Sequence, residues 1–281
     1  MSETLPRTQG TADGPRHDLA SKTRRKEASH GAAWGVTVGQ MVLRNVRRTI
    51  RSPELIMYAV IQPVLFVLMF VYVLGGAMGV TDYKQFLLPG IAVQMVLFGA
   101  VAGTAVGMAT DSKVGLMDRF RSMPIGRSPI IIGRTVAELV RALFAIVAMV
   151  VISLIVGFRF HGTFLDALIA LAVLLAFAFS MSWLAAFIGL MAPGPEAAQG
   201  LGTIWLYPFS FISSAFVPTD TMPDWLRWFA DYSPMTTTVN ATRALVNGVD
   251  PGSSIWVTLI WCSGALAVSV PLAIRAFGSE K

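Results

Sequence analysis

Ala142–Gly157 contains no charged residue, and long uncharged apolar runs of this kind recur along the chain. A helix needs roughly 20 predominantly apolar residues to cross the hydrocarbon core of a bilayer. Six segments answer to that length: Leu55–Met78, Leu87–Ala109, Thr135–Gly157, Phe164–Met191, Glu196–Val217 and Ser254–Arg275. The fifth is the least regular, because Pro208 and Ser210 sit inside it. Charged residues make up 14% of the chain, against about 25% in soluble domains, so there is too little polar surface to face water all round. The expected fold is all-α and membrane-integral, with six transmembrane helices.

Cations set the orientation, since Lys and Arg concentrate in cytosolic segments. Residues 1–54 hold ten of the 22. With the N-terminus inside, cytosolic segments carry seventeen, five of them (Lys113, Arg119, Arg121, Arg127, Arg134) between the second and third spans. External loops carry four, Lys84, Arg159, Arg227 and Arg243, and Arg141 lies within a span. Both termini are therefore expected in the cytosol.

Residues 1–33 are polar and cannot bury a core, which predicts a disordered cytosolic tail. Its basic cluster Lys22–Lys26 lacks the short apolar region and cleavage site that a secretory signal carries. Over Trp34–Arg51, at about 100° per residue, Arg44, Arg47, Arg48 and Arg51 share one helix face, opposite Val38, Val42, Val46 and Ile50. Such a helix either lies in the headgroup plane with its arginines on lipid phosphates or packs on a partner chain. Entry of the next element into the membrane, after the break at Ser52-Pro53, favours the first.

Several chemistries are excluded. Cys262 is alone, so neither a disulfide framework nor a cysteine zinc site can form within the chain. No GxxxxGK[ST] phosphate loop occurs. Ion-coupled carriers bury carboxylates or histidines at mid-membrane, yet His17, His30 and His161 lie outside the spans, and Gln62, Gln94 and Gln199 are neutral. Glu138 and Arg141, near the cytosolic end of the third span, can pair at i,i+3 spacing as a structural or a gating pair. A stand-alone carrier or channel would need more ionisable groups or a polar stripe. A membrane-embedded enzyme would need an acidic or histidine cluster, and Asp220, Asp224 and Asp231 have no metal-binding spacing.

Three further segments stand out. Gly99, Gly103 and Gly107 share one face of the second span, allowing close approach within one bundle or between subunits. Asp111–Arg134 mixes charge with Leu116, Met117, Phe120 and Met123 and breaks at Pro124, which suits a short helix seated in a partner's groove or resting on lipid. Outside, Pro218–Pro251 holds Trp225, Trp228, Phe229 and Tyr232, with a short helix expected around Pro223 at interfacial depth. Sheltered by protein, it can dip back into the bilayer.

The run Ala109-Thr110-Asp111-Ser112 to Gly115, then Asp118-Arg119-Phe120-Arg121-Ser122-Met123-Pro124-Ile125, resembles the cytosolic signature loop of type-2 ABC exporter permeases, nearest the daunorubicin-resistance subgroup. Phe216-Val217-Pro218, Met222-Pro223-x-Trp225-Leu226, Pro234, Arg243 and Gly248 resemble the family's C-terminal pattern. The likeness covers Trp34 to the end. It implies a transmembrane subunit with no catalytic site and no cofactor of its own, in a bacterial inner membrane. Two copies of a cytosolic ATPase would carry ATP and Mg, and a second or sister permease would complete the pore. The resemblance makes residues 34–52 a connecting helix and 53–281 the permease domain. It makes Asp111, Gly115, Asp118, Arg119, Phe120, Arg121, Met123 and Pro124 a coupling helix, and it makes the external segment with Pro218, Pro223, Trp225 and Trp228 a set of short re-entrant helices. Substrates would be lipophilic drugs, lipids or polyketides, passing between copies along the second and fifth spans, with Trp205, Phe209 and Phe211 as aromatic contacts.

Overall fold

The computed structural model describes residues 39–40, 42–44, 46–47, 61–74, 83–114 and 127–278. The expected tail lies outside them. Residues 39–40, 42–44 and 46–47 are helical, with Arg44 and Arg47 exposed and Val42 and Val46 half-buried; Arg48 and Arg51 lie outside the described residues. The helices are α1 (Ile61–Val73), α2 (Tyr83–Lys113), α3 (Arg127–Val156), α4 (Phe164–Met191), α5 (Pro195–Phe211), α6 (Asp224–Tyr232), α7 (Pro234–Val246) and α8 (Ser254–Gly278).

Four of these, α2, α3, α4 and α8, are long and apolar enough to cross a membrane, where the sequence predicts six. The first expected span is described only as the shorter apolar helix α1. The fifth is corrected: α5 ends at Phe211, and the residues up to Val217 form turns. Pro208 offers no N–H to the preceding turn, so the helix is already weakened there. Its end is taken over by side chains, with Ser213 Oγ donating to Ser210 O (2.6 Å) and Ala215 N to Ser213 Oγ (3.3 Å).

At the start of α4 the boundary is set by a reciprocal cap. Asp166 N donates to Thr163 Oγ1 (3.3 Å) and Thr163 N to Asp166 Oδ2 (2.7 Å), satisfying two orphan donors of the first turn. Thr163→Ala is expected to cost about 1 kcal/mol, read as a small drop in the thermal midpoint of the purified protein.

α2 is the central element, with Leu87, Ile91, Leu97, Val101 and Ala105 all buried. Its turns over Ala100–Ala105 are π-helical, a local widening that concentrates at functional sites. Neighbours reach this segment through glycines. A Cβ on Gly189 of α4 would strike the Ala105 carbonyl, and one on Gly202 of α5 would strike Val101.

α7 is polar in sequence yet mostly buried. Its hydroxyls bond within the helix, Thr238 Oγ1 to Pro234 O (2.6 Å) and Thr242 Oγ1 to Thr238 O (2.8 Å), so burial leaves them satisfied. Arg243 locks α7 to its surroundings, donating to Phe86 O (2.9 Å), Ser214 O (2.7 Å) and Asn240 Oδ1 (3.0 Å) with its guanidinium 3.8 Å from the Phe86 ring centre. Burial lowers its pKa to about 10, which leaves it cationic at neutral pH. α6 is amphipathic. Trp225, Trp228 and Tyr232 are exposed, Ala230 is buried, and Trp261 Nε1 of α8 donates to Tyr232 O (3.0 Å).

Candidate functional site

α2 and α3 run antiparallel, and their register brings two unusual patterns together. Gly99, Gly103 and Gly107 recur every four residues on α2, while Arg134, Glu138 and Arg141 occupy one face of α3. The glycine row makes room for charge. A Cβ at Gly99 or Gly103 would meet Arg141 and Glu138, and one at Gly107 would meet Arg134. No other side chain leaves that volume.

Two ion pairs result. Arg134 pairs with Asp111 at the end of α2 and donates to Gly103 O (3.0 Å). Roughly 10 Å further along α3, Arg141 grips Glu138 through Nε–Oε2 (2.9 Å) and Nη2–Oε1 and donates to Gly99 O. Glu138 is 6% exposed and Asp111 4%. Burying charge costs several kcal/mol per ion unless pairing and extra hydrogen bonds offset it. Here the carbonyls of the π-helical turn and its flank supply those bonds. Arg141 points inward to this site.

Two cavities of about 260 Å³ each adjoin the pairs. One lies between α1, α2 and α3 and is lined by Gln62, Met95, Phe98, Glu138 and Arg141. The other lies between α1, α2 and α5 and is lined by Gln62, Phe98, Gln199, Thr203 and Tyr207. Gln62, Phe98 and Ala102 border both. Beside them six rings close on one another. In order they are Phe66, Phe70, Phe216, Phe211, Tyr207 and Phe98, with centroids 6.0, 4.4, 5.4, 6.1 and 5.7 Å apart and 6.5 Å from Phe98 back to Phe66.

The three aromatic residues expected on the substrate path therefore separate. Phe211 belongs to the ring and is exposed, whereas Trp205 and Phe209 meet edge to face at 6.0 Å and pack against the core, Phe209 also meeting Phe229 at 6.3 Å. Asp111 sits in the lower ion pair, while Gly115, Asp118, Arg119, Phe120, Arg121, Met123 and Pro124 lie outside the described residues. Pro218 opens a short turn over Thr219–Thr221, and Pro223 precedes α6, with Trp225 and Trp228 on its exposed face. Sequence reasoning gives Arg134 and Tyr207 no place in a site. Arg134 was legible, since it stands four and seven residues before Glu138 and Arg141. Tyr207 was not, because only the fold brings it to Phe98.

Residues 37–246 match the model of the ABC-2 type transporter family, so the chain belongs to that family. It is similar to the daunorubicin resistance ABC transporter permease protein DrrB1 of Streptomyces coeruleorubidus, 36% identical over 223 residues that cover 79% of this chain and 78% of that protein. It is also similar to a probable doxorubicin resistance ABC transporter permease protein, DrrC, of Mycobacterium tuberculosis, 25% identical over 84% of this chain and 88% of the relative. A putative transport permease, ycf38, of Porphyra purpurea is 26% identical over 71% of this chain and 70% of its own length. The chain is thus a membrane protein of a transporter family, classed with permeases and not with enzymes.

Proposed function

We propose that this chain is the membrane half of an ATP-driven exporter of lipophilic drugs, lipids or polyketide-like compounds. It works as a pair of permeases on two copies of a separate cytosolic ATPase, which carry the ATP and Mg. The lower ion pair is the observation that carries this reading. Asp111 and Arg134 tie together the two helices that flank residues 115–126, and Arg134 continues to Gly103 O in the π-helical turn. A partner that moves the intervening segment therefore moves α2 and α3 as one body. In the exporter, Arg119 and Arg121 with Asp118 orient that segment by charge-assisted bonds, while Phe120 and Met123 anchor it. Gly115 and Pro124 bound it.

Displacing α2 and α3 changes both cavities, since each is walled by α2. Lipophilic cargo would move past Gln62 and Tyr207 to the aromatic ring at Phe211, between this chain and its partner copy. Both termini lie in the cytosol, the N-terminal helix with Arg44, Arg47, Arg48 and Arg51 lies on the inner membrane surface, and α6 and α7 close the outer mouth as re-entrant helices. The burial of α7 against α2, α4 and α8 supports that last role.

Purification of tagged protein in mild detergent tests the reading. The expected result is a stoichiometric P-loop ATPase in the preparation, lost on Phe120→Asp. Arg119→Glu is expected to abolish transport in vesicles while leaving the protein in the membrane. An ATPase-free preparation from membranes that still transport would sink the proposal and favour a stand-alone carrier.

A further inference from the structure

A third cavity, of about 430 Å³, lies away from the coupling pairs. It is an open cleft between α2, α3, α4 and α7, walled by residues such as Leu88, Val147, Val150, Leu154, Leu171 and Val246. Its two hydroxyl-bearing residues have no free proton to donate to a polar ligand: Ser153 Oγ donates to Met149 O (2.7 Å) and Thr242 Oγ1 to Thr238 O (2.8 Å). The occupant must be apolar. The cleft's reach along α3, from Leu143 to Leu154, is roughly 16 Å at about 1.5 Å per residue. That is about half of a hydrocarbon core of roughly 30 Å, the depth of one leaflet.

One end of the cleft carries charge. Phe158 and Phe160 line it there, and Arg159 stands exposed between them with no acidic partner among the described residues. Lys84 is tied to the same place, its Nζ donating to Val156 O (3.2 Å) at the end of α3, while Gln85 Nε2 donates to Arg159 O (3.0 Å). Asp166, the next acid along the chain and in the first turn of α4, is engaged by Thr163 through Oγ1 (2.7 Å) and N (2.7 Å). His161 is exposed beside Phe160. Lys84 and Arg159 are two of the four cations assigned to the outer side, in a chain that otherwise keeps its cations inside. Placed at the same end of a one-leaflet apolar slot, they suit an anionic amphiphile, with a chain in the slot and an anion at its rim.

We propose that this cleft binds one acyl chain of an anionic phospholipid of the outer leaflet, with the headgroup phosphate on Arg159 and Lys84. The site lies outside the coupling pairs and the aromatic ring, so it is a lipid site of the permease fold and not its transport path. Its assignment to the outer leaflet rests on the orientation proposed above, whereas binding itself does not.

The test uses full-length protein in nanodiscs of phosphatidylcholine containing a minor share of phosphatidylglycerol, with either lipid spin-labelled on its chain. Labelled phosphatidylglycerol is expected to be motionally restricted in clear excess over labelled phosphatidylcholine. Arg159→Gln should cut that excess about fivefold, the usual weight of one basic residue at an anionic surface. Val150→Trp, on the exposed wall of the cleft, should abolish it without disturbing the core. Equal restriction of the two lipids, or an unchanged excess in either variant, overturns the proposal. So do disulfide-linked dimers of Val150→Cys, which would make a second copy the occupant. Cys262 is buried, so an impermeant maleimide applied to whole cells should label Arg159→Cys and leave the parent protein blank. Labelling only after lysis would overturn the orientation and the outer-leaflet placement, while binding in the cleft would still stand or fall on the nanodisc result.

Discussion

Arg141→Ala is expected to destabilise the folded protein by about 3–5 kcal/mol, because it leaves Glu138 buried and without its partner. The magnitude comes from the charge left behind, not from the strength of the pair. Arg141 donates to both carboxylate oxygens of Glu138, and Gly99 O loses its donor as well. The double variant Glu138→Leu/Arg141→Leu should recover most of the loss, since a buried ion pair replaced by apolar side chains of similar volume is often neutral. Thermal unfolding in detergent of the two singles and the double completes the cycle. A mild Arg141→Ala would show that water or lipid headgroups already solvate Glu138. Transport by the stable double variant then separates the two roles the sequence left open. Full transport makes the pair structural, and loss of transport in a folded protein makes it part of gating.

Gly189→Val is expected to cost about 3 kcal/mol or more, at or beyond the upper end of ordinary overpacking. The obstacle is the Ala105 carbonyl, part of the π-helical backbone, and not a side chain that can turn away. α4 must then separate from α2, and the core the two helices share opens with it. Fluorescence-detected size-exclusion of the tagged variant should give little monodisperse protein. Gly264→Ala in α8 is the matched control. Its Cβ would meet nothing within 4 Å, so it should be neutral or stabilising by up to about 1 kcal/mol through helix propensity. A well-behaved Gly189→Val would mean that α4 and α2 lie farther apart than this packing requires.

Much of this was legible in the chain. Phe164–Met191 coincides with the predicted fourth span because Thr163 and Asp166 write its start and the Ala192–Pro195 turn writes its end. The third and sixth spans agree in place for the same reason, uninterrupted apolar length between polar ends. The fifth did not, since a hydropathy window passes through Pro208 and the serines that follow it, while the backbone cannot. α7 was hidden in the opposite way. Its threonines look like surface yet are buried, their hydroxyls bonded to the helix's own carbonyls, while the half-buried Arg243 reaches Phe86 and Ser214.

The sequence by itself determined that the chain lives in a membrane, that its helices are apolar outside, and that the glycine row and the charges of the third span sit on defined helix faces. Those properties follow from residue type and helical period alone. Only the tertiary structure decided that the two patterns meet. A glycine every fourth residue states that something comes close without naming it, and an i,i+3 ion pair states nothing about what lies opposite. Antiparallel register of α2 on α3 puts guanidinium groups into the space the glycines leave and gives them the carbonyls of a widened turn. The packing of α1 and α5 against α2 likewise closes six rings from four separate segments around Tyr207 and Phe211. Contacts of that kind join residues tens to more than a hundred positions apart, and no local pattern encodes them.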